Sequence, residues 1–216
     1  EDMTGIKATT IPFDDPATLS LFSSTKALGE TPEELGSKVG SLGIPEFGTS
    51  FVRQMLVDTK PKTFSELVRI SGFSHGTDVW LNNAQDLITS GTVPLKEAVS
   101  TRDDIMNYLI QHGIKPKTSF KVMENVRKGK GIDKLNKLGQ KTTDYEGELK
   151  AGHIPQWFID SCHKIGYLFP RAHAVAYVMM AFRIAWYKIN QPLAYYCAFF
   201  TIRAKAFKLS AMSHGL

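Results

Sequence analysis

Three short stretches hold residues whose types and spacing could do chemistry. In "FPRAHAVAYVMMAFRIAWYK", residues 169–188, Arg171 stands in the first turn of an expected helix, with His173 and Tyr177 four apart. That spacing puts the imidazole and the phenol on one helix face. An arginine to meet phosphate charge, with rings to lie against a base or sugar, suits a nucleotide. Alanines at 172, 174 and 176 thin the side chains so that another body can approach. The same spacing also fits an ordinary buried helix with one hydrogen-bonded histidine. In "VRKGKG", 126–131, Arg127, Lys128 and Lys130 surround two glycines, so the backbone could come close to a phosphate. A cationic helix C-terminus closed by glycine is the plainer reading. "SGFSHGT", 71–77, sets Ser74 and His75 among glycines. It is no nucleophile elbow, because it follows a helix rather than a strand and adjacent side chains diverge. As a glycine-hinged loop before a helix over "TDVWLNNAQDLI" it would expose backbone N–H groups to a phosphate, with Ser74, His75 and Thr77 as further donors. The alternative is a plain helix–helix turn.

Charge is unevenly placed. The 216 residues carry net +5, yet Lys115, Lys117, Lys121, Arg127, Lys128, Lys130, Lys134, Lys137 and Lys141 are opposed within 115–141 only by Glu124 and Asp133. Basicity so local fits a strip that meets a polyanion. A solvated lysine-rich helix face is the equal alternative.

Composition and the remaining polar residues narrow the function classes. Two cysteines, Cys162 and Cys197, give neither a disulfide framework nor a CxxC pair for zinc, and a reducing, cytoplasmic setting is expected. "EDMTGIKATT" has no basic and apolar stretches of a signal peptide. No uncharged apolar run approaches the ~18–20 residues of a membrane span. Asp14–Asp15 and Asp103–Asp104 are neighbours at helix starts, where capping accounts for them. They do not form the converging carboxylates of two-metal chemistry, so no metal site and no catalytic centre are expected in this chain.

The elements that must position these residues read as helices. Asp15 caps a helix with Pro16 in its first turn, and "TPEE" and "TFSE" are capping boxes at Thr31 and Thr63. Thr101 starts "TRDDIMNYLIQHG", which Gly113 ends, and Thr118 is the expected cap of "SFKVMENVRKGKG". Pro155, Pro170 and Pro192 each open a further helix. Glycine-rich joints at 40–48, 71–77 and 129–132 separate them, and the fold class expected is all-α. The polar, charged stretch 133–152 reads as a mobile surface insertion.

Six blocks, "PEFGTSFVRQML", "KPKTFSELVRISGFSHGTDVWLNNAQDLI", "RDDIMNYLI", "FKVMENVRKGKG", "FIDSCHKIGYLFPRAHAVAYVMMAFRIAWYK" and "PLAYYCAFFTIRA", occur in this order. Together they resemble the fingers region of the C-family replicative DNA polymerases of low-GC Gram-positive bacteria, the PolC-type DNA polymerase III alpha subunits. The resemblance runs from about Asp2 to Ala204. It implies a multi-helix fingers domain over 51–204, with a lead-in at 1–50 and a tail at 205–216 leading out. It further implies DNA-directed DNA synthesis, with an incoming deoxynucleoside triphosphate, template–primer DNA, the other polymerase domains and the replisome as partners. Magnesium would be held by palm aspartates outside this chain, which alone should be inactive. Carried over residue by residue, Ser74, His75, Gly76, Arg127, Phe169, Arg171, His173 and Tyr177 fall at the nucleotide. Lys121, Lys128 and Lys130 fall at DNA phosphates. Arg171 stands where the family is expected to have lysine, which keeps the charge, and 133–152 is longer than the family's link. Without the resemblance, a free-standing basic helical module that binds nucleic acid accounts for the same charge pattern.

Overall fold

The computed structural model describes residues 2–202, so the expected tail at 205–216 lies outside the described residues. Those residues form an all-α fold with eleven α-helices. Their β pairing is limited to isolated bridges at Thr77–Tyr167, Thr101–Phe169 and Leu135–Lys141. The chain divides into two compact units. One comprises the residues up to Arg53 with those from Met179 onward; the other is Gln54–Val178.

Helix starts follow local chemistry. In α1 (Pro16–Ser20) the Asp15 carboxylate accepts from the Thr18 amide at 2.8 Å. Capping boxes open α2 (Pro32–Leu35) and, beyond α3 (Ser50–Thr59), α4 (Phe64–His75). In α4, Thr63 and Glu66 exchange backbone donors at 3.2 Å each.

Three expectations are corrected. First, α4 continues through Ser74 and His75, so residues 71–75 of "SGFSHGT" are helical and only Gly76 and Thr77 lie beyond the helix. Gly72 is required there because a Cβ would lie 2.7 Å from the Ser100 carbonyl oxygen. Second, "TDVWLNNAQDLI" is not one helix. Asp78 and Asn82 take left-handed φ of 56° and 57°, a π-helical turn covers Trp80–Ala84, and α5 (Gln85–Thr89) starts beyond it. The buried Asn83 amide holds this kink by donating to the carbonyls of Asp78 at 3.0 Å and Ser161 at 3.3 Å. Third, α6 (Arg102–Gln111) is followed by α7 (Pro116–Val126), whose N-cap is Lys115 and not Thr118. Pro116 has the φ a first helical residue needs. The Thr118 hydroxyl instead donates to Glu148 at 2.8 Å.

Within 133–152, residues 134–142 are exposed and irregular, as a surface insertion would be, whereas the second half is helical. Its helix α8 (Tyr145–Ala151) buries Leu149 completely. Asp133, 3% exposed, accepts from the Tyr145 amide at 2.6 Å and pairs with Lys141 at 2.8 Å. Lys150 above all, then His163 and Lys141, holds the Glu146 carboxyl down to about 2. One buried leucine and a charge network place a helix in the second half of a segment whose composition alone reads as loop.

After α9 (Gln156–Lys164) comes α10 (Arg171–Asn190), which answers the opening ambiguity by burying only one of its faces. Ala174, Val178, Ala181, Phe182 and Ala185 are fully buried, whereas positions 172, 173, 176, 177 and 180 face solvent. His173 is therefore no core histidine. Ala174 belongs to the core, so only Ala172 and Ala176 thin the outer face.

In the first unit Phe182 stacks on Phe22 and meets Phe13 edge-on, at 6.3 and 5.8 Å between centroids. Lys188 is 3% exposed and its ammonium donates to the carbonyls of Gly40 at 2.9 Å and Leu42 at 2.7 Å. Helix α11 (Pro192–Ile202) follows, and a cavity of about 480 Å³ is lined by Met3, Pro45, Tyr187, Tyr195 and Phe199 among others.

In the second unit Leu67, Ile70, Ile105, Leu109, Val122, Val126 and Phe158 form the core beneath α4, α6, α7 and α9. Above it sits Asp104, 8% exposed, which accepts from the amides of Ser100 at 3.1 Å and Thr101 at 2.8 Å and from both their hydroxyls. Arg69 of α4 lies 3.4 Å from the same carboxylate and Arg171 of α10 lies 3.7 Å from it. Burial pushes the Arg69 guanidinium below its usual value, with Asp104 opposing that shift. Asp103 does not cap its own helix but accepts from the Arg171 amide at 2.8 Å, starting α10 from 68 residues away.

Two outcomes are expected. Asp104→Ala strands the Arg69 cation and four donors, and should lower unfolding free energy by about 3–5 kcal/mol, read as a lower urea midpoint. Burial lowers the Lys188 pKa from 10.5 to about 8. The unfolded chain therefore binds more protons between those values, and the penalty for the buried charge is relieved as pH rises through 8. The melting temperature of the protein relative to Lys188→Met should therefore rise from pH 7.5 to 10, and a flat difference would contradict the assignment.

Candidate nucleotide and nucleic-acid site

An extended segment, residues 165–170 between α9 and α10, stitches together all three stretches singled out from the sequence. The Gly166 amide donates to the Thr77 carbonyl at 2.9 Å, and the Thr77 amide donates to the Tyr167 carbonyl at 3.0 Å. The Leu168 amide donates to the Arg127 carbonyl at 3.3 Å, and the Arg102 amide to the Phe169 carbonyl at 3.2 Å. The end of α4, the end of α7 and the start of α6 thus share one strand of backbone. Gly76 and Gly129 permit the crossing, a Cβ on Gly76 lying 3.0 Å from the Tyr167 carbonyl oxygen. Gly129 has φ +67°, and a Cβ on it would lie 2.5 Å from the Gly166 oxygen. This close backbone approach accounts for the first glycine of "VRKGKG" without any phosphate.

The strap carries Phe169 to His75. Their rings stack at 4.8 Å between centroids and 25° between planes. Tyr177 lies 6.1 Å from His75 and 6.3 Å from Phe169, and His173 meets Phe169 edge-on at 5.8 Å. His75, His173 and Tyr177 are exposed and Phe169 is half-buried. Four of the residues expected at a nucleotide therefore form one outward-facing aromatic patch. Arg171, two residues beyond Phe169, is held by Asp103 and Asp104 and keeps its guanidinium 36% exposed.

Ser74 and Gly76 are placed differently. The Ser74 hydroxyl donates to the Ser71 carbonyl at 2.9 Å, and the Gly76 amide donates to the Gly72 carbonyl at 3.1 Å. Both donors are spent closing α4, so the loop of free N–H groups expected there is not formed.

The basic strip divides in two. Arg127 makes a two-pronged pair with Glu124 through Nε and, at 2.9 Å, Nη2, and Lys128 reaches the same carboxylate at 3.1 Å. Arg127 first, with Lys128 also lowering it, brings Glu124 to about 2. Lys121 and Lys130 are exposed, with the Lys121 ammonium 6.0 Å from the Phe120 ring centroid. Of these four cations, two are oriented by a neighbour and two project into solvent.

Among the described residues no three His, Cys, Asp or Glu side chains converge as a metal site. Asp103 is committed to the Arg171 amide and Asp104 to its own helix start and two guanidinium groups, so this pair does not fit a magnesium ion. The reach of Asp103 to α10 and the pairing of Thr77 with Tyr167 escape sequence reasoning, because both join segments far apart in the chain. The doublet "DD" after "ST" is legible only as a cap.

Comparison with known proteins adds the family. Residues 1–147 match the model of the bacterial DNA polymerase III alpha subunit finger domain. The chain is 59% identical over 215 residues to the PolC-type DNA polymerase III of Caldanaerobacter subterraneus subsp. tengcongensis. It is 59% identical over 207 residues to that of Thermotoga maritima and 55% over 215 to that of Bacillus subtilis. These alignments take in 96–100% of this chain but only 14–15% of the relatives' length. With a family match over most of its length, an all-α fold and similarity to parts of three polymerases over 96–100% of its residues, the chain belongs to the bacterial DNA polymerase III alpha subunit finger-domain family.

Proposed function

We propose that this chain is the fingers part of a PolC-type replicative DNA polymerase, cytoplasmic, covering the incoming deoxynucleoside triphosphate and contacting template–primer DNA. The observation that carries the nucleotide reading is the patch of His75, Phe169, His173 and Tyr177, assembled from segments about a hundred residues apart and left facing outward. Buried packing would have turned these rings inward. Arg171 beside the patch supplies charge for a triphosphate, and its two aspartates fix where that charge stands. Lys121 and Lys130 are the phosphate contacts for DNA, with Arg127 and Lys128 held back by Glu124. The body over 51–204, with 1–50 leading in, belongs to the same proposal. So does the assignment of magnesium and the catalytic carboxylates to parts of the polymerase outside this chain. The replisome and the other polymerase domains are its partners. Among the described residues no helix is long and apolar enough to cross a membrane.

In the full-length protein carrying this chain, His173→Ala should raise the KM for nucleotide or lower turnover about tenfold or more. A charge-assisted contact in a partly dry pocket is worth about 1.5–3 kcal/mol, so Arg171→Ala should do the same and Arg171→Lys should restore most of it. Because His173 is exposed, its loss should leave the melting temperature nearly unchanged. Early melting with no nucleotide-specific defect would sink the reading.

DNA binding should weaken steeply with salt as counterions are released. Lys121→Ala with Lys130→Ala should flatten the slope of log affinity against log salt by about one per lysine, more than Arg127→Ala with Lys128→Ala. An identical slope in all variants would mean the strip is only solvated surface.

A further inference from the structure

A second ring assembly lies on the Gln54–Val178 unit, in residues that the nucleotide reading does not use. Tyr108 of α6 stacks on Phe158 of α9 at 4.4 Å and 13°, and His112 stacks on Tyr108 at 4.0 Å and 24°. Two rings this close and this parallel to Tyr108 must occupy its opposite faces, so the three make a column. Its inner member, Phe158, is fully buried, Tyr108 is half-buried, and His112 is exposed. Trp157 stands edge-on to Tyr108 at 5.8 Å and to Phe158 at 5.6 Å, walling one side. The outer ring is held in place. His112 Nδ1 lies 2.8 Å from the Tyr108 carbonyl, which can only accept, so Nδ1 carries the proton.

The charge around the column is mixed: the Glu97 carboxylate acts on Tyr108, and two lysines follow His112 in the chain. Gly113, at φ +84°, ends α6 and turns the chain directly into α7, whose N-cap Lys115 makes no side-chain cap and whose first turn holds Lys117. Both lysines are exposed. The positive start of α7 is partly served already, since Glu148 accepts from Thr118 there. Charge for a phosphate therefore comes from the two lysines rather than from the helix end.

We propose that the Phe158–Tyr108–His112 column is a stacking site for an unpaired base of single-stranded nucleic acid, with Lys115 and Lys117 taking the flanking phosphate. A base within a duplex has both faces covered by its neighbours, so only an unpaired one can extend the column. Stacking tolerates any base, because each has a π-face, and the lysines read only the backbone. The site is distinct from the patch around Phe169, and the inference does not depend on nucleotide binding there.

The test uses the full-length protein and an oligomer of deoxythymidines carrying one 2-aminopurine, whose fluorescence is quenched by stacking. His112→Ala should remove most of the protein-dependent quench and weaken single-strand binding about tenfold, with duplex affinity unchanged. His112→Phe should keep both. Lys115→Ala with Lys117→Ala should reduce the salt slope without altering the quench. An unaltered quench in His112→Ala, or equal loss for single strand and duplex, would overturn the proposal and leave the column as packing. His173→Ala should not change the quench, and His112→Ala should not change the KM for nucleotide, so either reading can fail alone.

Discussion

The second unit depends on one buried carboxylate. Asp104 accepts four hydrogen bonds from its own helix start and still faces guanidinium groups from α4 and α10. A carboxylate taken out of water is costly unless its lone pairs are filled and opposite charge is near. Here both conditions hold only when three helices are in place together. The interaction thereby converts a local cap into a statement about tertiary geometry. Its neighbour Asp103 extends this by starting α10, so the doublet sets where the first turn of that helix, and Arg171 with it, stands.

The segment between α9 and α10 turns that anchored frame into a surface. Its backbone pairs with Thr77, Arg127 and Arg102 in turn, which leaves few degrees of freedom for Phe169 and its ring. Crossing at such short range needs positions without a Cβ, and Gly76 and Gly129 provide them against Tyr167 and Gly166. Glycines that in sequence suggest room for a phosphate prove to make room for the chain itself. The rings are thus presented by rigid backbone rather than by a loop, as a preorganised contact surface requires.

Electrostatics sorts the cations in a way that counting them cannot. Glu124 draws Arg127 and Lys128 onto one carboxylate, and Glu146 gathers Lys141, Lys150 and His163 into the fold of residues 133–152. Much of the formal charge in this segment is therefore spent on internal structure. What projects outward is a smaller set, including Lys121 and Lys130, and only such groups are placed to release counterions from a polyanion.

The sequence by itself determined most of the helices and several of their starts. Asp15, Thr31, Thr63 and the prolines at 155, 170 and 192 act on the nearest backbone donors, so their effects are readable within a few residues. The block resemblance likewise named the family, because long ordered matches need no coordinates. Readings failed where a distant segment outcompeted a local one. Asn83 broke an expected helix by bonding Ser161, Thr118 gave its hydroxyl to Glu148 instead of capping, and Leu149 ordered a stretch that composition marks as loop. Only the tertiary structure decided that His173 faces solvent, that Ser74 and Gly76 have no donors to spare, and that His75 and Phe169 share a face. Those outcomes rest on pairings between residues tens of positions apart, and a single sequence holds no local energy term that specifies them.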